Sequence, residues 1–136
     1  MTDKVMMLRG WVRGWALWGF ALCVAGVLYG VFRPEPPQEL FAHSDKWGHV
    51  VAFGALALFA RLAFPRVSAL GVWLPLLALA PLLEVLQGAL RPGRVFSLED
   101  ALANVIGVVL ALACHWLWCR CLSGWQWRQA EDVPPG

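Results

Sequence analysis

The chain has 136 residues, 60% of them hydrophobic and 15% charged, with a mean hydropathy of +0.61. A soluble domain averages about 45–50% apolar and about 25% charged residues, so this chain is too poor in polar residues to cover a water-facing surface. The net charge of +2 and the lack of a basic run argue against nucleic acid as a partner, and the length suits a single domain.

A bilayer core takes about 20 apolar residues of helix. The first such span is about 14–32, GWALWGFALCVAGVLYGVF, with no charge in it. Arg33 and the PEPP run at 34–37 end it, because proline cannot continue a helix. Lys4, Arg9 and Arg13 precede it, so a cleaved signal peptide is an alternative; the span's length and the missing small-x-small site favour a retained anchor. The second span, about 47–64, has one interior charge, Arg61, and closes at Pro65. The third, about 68–90, holds Pro75 and Pro81, where a kink is expected and neighbouring helices re-satisfy the freed carbonyls. After the RPGR turn at 91–94, Ser97 reads as an N-cap with Asp100 three residues on, a short-armed version of the capping box. The fourth span is about 98–122, and the polar tail 123–136 is expected to be flexible. The fold class is therefore all-α: one integral membrane bundle of four transmembrane helices with short loops.

Lys and Arg set the orientation. The terminal side holds Lys4, Arg9, Arg13, Arg61, Arg66, Arg120 and Arg128, against Arg33, Lys46, Arg91 and Arg94 on the other. Positive residues favour the cytoplasm, so both termini are expected there and the 33–46 and 91–97 loops outside. The polar residues inside the spans then fall at one level, just beneath the outer surface. Asp45 and His49 are four apart, Glu84 and Gln87 three apart, Asp100 and Asn104 four apart, so each pair lies on one helix face. A charge facing lipid at mid-helix costs about 2.5–3.5 kcal/mol on insertion scales. Three stripes at one depth avoid that cost by converging. Gly107, three residues past Asn104, reads as a point of close helix approach.

These residues carry a resemblance. DKWGHVVAFGALA, then LLEVLQ, then PGRVFSLEDALANVIGVVLA resembles the VanZ-like family. Asp45, Lys46, His49 and Phe53 match its Asp-Lys-x-x-His-x-x-x-Phe start. Glu84 and Gln87 match its Glu-x-x-Gln helix; Arg94, Asp100, Asn104 and Gly107 match its closing segment. The motifs span about 43–113, and the first helix and the tail carry none of them. The resemblance implies a small multi-pass protein of the bacterial inner membrane. It also implies a link to the cell envelope, the family's named member being tied to resistance against teicoplanin, a lipid-tailed glycopeptide.

Two functional readings stay open. In the first, an outer-face pocket recognises an anionic lipid or a lipid-linked cell-wall precursor, with or without chemistry on it. Arg94 and Lys46 would hold a phosphate. His49, with Asp45 or Glu84, would handle protons as the catalytic group. Gln87, Asp100 and Asn104 would bind and shape the ligand. In the second, the cluster is packing glue in a non-catalytic subunit of an envelope complex. No cofactor and no metal is expected, because no second histidine shares the His49 stripe. Cys23, Cys114, Cys119 and Cys121 read as reduced, buried thiols, Arg61 as a snorkelling side chain, and most of the nine Trp as interface anchors.

Overall fold

In a computed structural model the described residues, 2–33, 44–90 and 96–131, form four α-helices and no strand. They are α1 (Thr2–Phe32), α2 (Ser44–Ala63), α3 (Ala69–Leu90) and α4 (Leu98–Glu131). Arg91 and Arg94, His43 and the PEPP run lie outside the described residues. The helix starts have local causes. Ser68 Oγ accepts the Gly71 N–H at 3.0 Å, capping α3. Ser97 Oγ accepts the Asp100 N–H at 3.2 Å, capping α4. Helix α2 ends before Pro65, and α3 runs continuously over both of its prolines.

The contacts fix an up-down-up-down order. Phe20 meets Phe64 edge-on at 5.3 Å and Gly19 lies against Phe59, so α1 and α2 run antiparallel. Trp73 meets His115 at 5.9 Å while Asn104 reaches Ala80, so α3 and α4 run antiparallel. Helix α2 sits centrally and packs on all three others; α1 packs along α2, barely touches α3 and does not touch α4. The core is Phe53, Leu56, Ala57 and Ala60 of α2 with Val72, Trp73, Leu76 and Ala80 of α3 and Val108 and Ala111 of α4.

In lipid, apolar burial gives helices little reason to associate, so close backbone approach and polar ties carry the assembly. Helices α2 and α4 supply the first. A Cβ on Gly107 would collide with the Val50 carbonyl oxygen and stand 2.9 Å from the Gly54 nitrogen. On the facing side, a Cβ on Gly54 would lie 3.3 Å from the Gly107 oxygen. The sequence expectation for Gly107 is met at this crossing.

Three helices, Gly10–Phe32 within α1, α3, and Leu98–Cys121 within α4, are long and apolar enough to cross a membrane. Helix α2 does not reach that hydropathy, because Asp45, Lys46, His49 and Arg61 dilute it. Its central place, with Phe53, Leu56, Ala57, Ala60 and Ala63 buried, means that it needs less apolar outer surface. The terminal helices outgrow their apolar spans. Helix α1 starts at Thr2 instead of residue 14, and α4 continues through the expected flexible tail to Glu131. At about 1.5 Å per residue they reach about 46 and 51 Å, against about 30 Å for a bilayer core. Their overhangs share one end of the bundle. Gln, Arg, Ala and Glu over 126–131 are good helix formers, so polarity there did not mean loss of helix.

A further expectation is corrected. Cys114, Cys119 and Cys121 are exposed on the bundle's outer surface, and Cys23 is half-buried. The α4 stripe that packs inward is Ala101, Asn104, Val108 and Ala111, and the cysteines fall off it. Trp73 is a core residue, while Trp11, Trp15, Trp18, Trp47, Trp116 and Trp118 are exposed.

Candidate functional site

Among the described residues, the buried polar side chains are Glu84, Gln87, Asp100 and Asn104. All four lie at the end of the bundle away from the termini, where His49 joins them. Asn104 is the hub. Its Nδ2 donates to the Ala80 carbonyl of α3 at 3.2 Å, which fixes the amide's orientation. Its Oδ1 therefore faces His49 as an acceptor, and His49 Nδ1 donates to it at 3.0 Å. The other ring nitrogen, Nε2, stands 3.8 Å from Asp100 Oδ2. His49 thus stands between Asn104 and Asp100, two residues one turn apart on α4.

Glu84 is fully buried on α3. Its Oε1 accepts the Ser97 N–H at 3.3 Å, and Oε2 has no hydrogen-bond partner among the described residues. In a capping box the residue at the Asp100 position reaches back to the cap's own N–H. Here Glu84, from a neighbouring helix, takes that N–H instead. Asp100 is released to face His49. Gln87 Nε2 donates to the Gly30 carbonyl at 3.2 Å, tying α3 to α1.

Lys46 turns elsewhere. It pairs with Glu99 at 2.8 Å, across the exposed seam of α2 and α4. The Glu99 hydrogen bond and, more weakly, the nearby Asp45 charge raise its ammonium above the ordinary lysine value.

Beside these groups lies a cavity of about 270 Å³. All four helices line it. Its lining includes the polar Arg33, Asp45, His49, Gln87 and Asn104 and the amphipathic Tyr29, and Val27, Val31, Phe53 and Leu83 supply apolar wall. The structure therefore brings Asp45, His49, Gln87 and Asn104 to one cavity. Glu84 and Asp100 stand behind its wall, positioning Ser97 and His49. Lys46 does not line it, and Arg94 lies outside the described residues. Arg33, on the α1 side, is the lining cation that the sequence reading passed over as a mere span terminator.

Residues 8–119 match the family model VanZ/LLP1. The chain belongs to the VanZ/LLP1 family. The match reaches well beyond the 43–113 motif region and takes in most of α1, the helix that brings Arg33 and the glycines of the cavity wall. No curated protein and no solved structure matches the chain. Family membership and three membrane-capable helices make this VanZ/LLP1 protein a multi-pass membrane protein.

Proposed function

We propose that this VanZ/LLP1 protein crosses the bacterial inner membrane four times with both termini in the cytoplasm. Its outer-end cavity recognises the headgroup of an anionic lipid or lipid-linked cell-wall precursor. Four crossings are supported by α2's place, a 20-residue helix lying antiparallel to α1 and packed centrally on the other three. The orientation rests on charge. At the terminal end the described basic residues are Lys4, Arg9, Arg13, Arg61, Arg66, Arg120 and Arg128, against the acids Asp3 and Glu131, an excess of the kind that favours the cytoplasmic side.

The observation that carries the binding reading is the cavity itself: one arginine, one histidine, one acid and two amides, from four helices, over an apolar base. Arg33 supplies charge and bidentate geometry for a phosphate-type oxygen. His49, through Nε2, donates to it or exchanges a proton with it, with Asp100 behind. A cavity of about 270 Å³ is below the usual range for a drug-sized ligand, about 300–1,000 Å³, so it suits a headgroup rather than a glycopeptide. On this reading, the family's link to glycopeptide resistance acts through lipid, not through capture of the drug.

A second reading has its own support. Glu84, Gln87 and Asn104 each tie one helix to another, as packing glue would. The two readings assign different residues, so they can be separated. Native mass spectrometry of gently extracted protein, comparing wild type with His49→Ala and Glu84→Ala, does so. The binding reading expects a co-purified anionic lipid that His49→Ala loses while keeping its thermal stability. If His49→Ala and Glu84→Ala both unfold, or if the retained lipid is neutral, glue alone accounts for the cluster.

A further inference from the structure

The cavity's polar and apolar groups are ordered by depth on three helices. On α1, Arg33 lies at the outer end and Val27 and Gly26 lie deeper. On α2, Asp45 and His49 lie above Phe53; on α3, Gln87 lies above Leu83. The wall is thus polar at its mouth and hydrocarbon-like below, matching an amphiphile standing headgroup-outward.

The α1 side explains how such a molecule reaches it. Toward the terminal end α1 is held close to α2, with Gly19 against Phe59 and Phe20 against Phe64. Toward the outer end Val31 is still buried, but a Cβ on Gly26 or Gly30 would meet nothing within 4 Å, so that face of α1 has open space over it. Both glycines line the cavity, one helical turn apart. Helix α1 does not touch α4, and the described polar tie from α1 to α3 is Gln87 to the Gly30 carbonyl. Of the helix pairs that touch, α1 and α3 are the least closely packed, so their seam is the least tied wall of the cavity.

We propose that the ligand is a phosphate-bearing lipid admitted sideways from the outer leaflet between α1 and α3. Its phosphate lies at Arg33 and His49, and its first chain segment lies over Gly26 and Gly30. This rests on the headgroup reading and adds the route, the chain and the specificity-determining glycine face.

The test uses full-length protein in a neutral, nonionic detergent, with dodecyl phosphate and inorganic phosphate as probes. A ligand that binds the native state raises the melting temperature. Wild type is expected to gain stability from dodecyl phosphate at concentrations where inorganic phosphate gives none. Gly30→Leu fills the chain segment and is expected to bind dodecyl phosphate at least ten-fold more weakly, a change of about 1.4 kcal/mol. Gly26→Leu, one turn deeper, is a second variant that gives the same result if the first fails to fold. Arg33→Gln is expected to weaken dodecyl phosphate binding without filling the slot. Equal protection by both probes, or full protection of folded Gly30→Leu and Gly26→Leu by dodecyl phosphate, overturns the side route while leaving the headgroup reading standing. No protection of wild type by either probe overturns both.

Discussion

The two ends of this bundle hold similar residue types and use them differently. At the end away from the termini, acids, amides, a histidine and an arginine are drawn together from four helices around a cavity. At the terminal end, Arg61, His115, Cys119 and Arg120 also come from neighbouring helices, yet their described polar contacts are short-range, and the cross-helix contact of His115 is a ring contact with Trp73. Arg61 Nη1 donates to the Phe64 carbonyl at 3.4 Å, Arg120 lies 4.8 Å from the Trp116 ring centre, and Cys119 Sγ is 3.8 Å from His115 Nε2. Each of those contacts is three or four residues apart on one helix. The outer contacts join residues 13 to 57 positions apart. Long-range polar ties at one end and short-range ones at the other are the contrast on which the proposed site rests.

Substitutions can break or sharpen that contrast. The largest effect is expected at the crossing beneath the outer cluster. Gly107→Leu drives a side chain into the Val50 carbonyl and should cost about 3 kcal/mol or more, seen as loss of folded protein in a thermal melt. Asn104→Leu removes two interhelical bonds and should cost about 1–2 kcal/mol. His49→Ala removes one of them and should cost about 1 kcal/mol or less, while anionic-lipid retention falls at least ten-fold, about 1.4 kcal/mol. Lys46→Gln breaks a partly exposed, solvent-screened pair and should leave the melting temperature close to that of wild type. At the other end, Cys119→Ser should lie within about 0.5 kcal/mol of wild type. A Cys119→Ser variant as damaging as Asn104→Leu would erase the distinction between the ends.

Much of this was legible in the sequence. Polar residues at three- and four-residue spacing inside apolar spans have no cheap place except a shared interior, so Asp45, His49, Glu84, Gln87, Asp100 and Asn104 could be grouped before any coordinates. Ser97 announced its cap, and Gly107 its crossing. What was lost has physical reasons. Lys46 follows Asp45, and successive residues on a helix point about 100° apart; the cavity takes Asp45 and leaves Lys46 to Glu99. Glu99 lies off the Asp100–Asn104 stripe that the spacing singles out. Arg33 stands alone at a helix end, where one charge looks the same whether it stops a span or lines a site. Gly26 and Gly30 matter because of space that no residue fills, and a sequence does not display empty volume.

The most direct test of the central claim is labelling of Gly48→Cys, placed in a background without the four native cysteines, by a membrane-impermeant maleimide on intact spheroplasts. Gly48 lines the cavity, and a Cβ there meets nothing within 4 Å. The account predicts labelling from outside, slowed by added dodecyl phosphate. Labelling only after the membrane is permeabilised, or at a rate that dodecyl phosphate leaves unchanged, would contradict it.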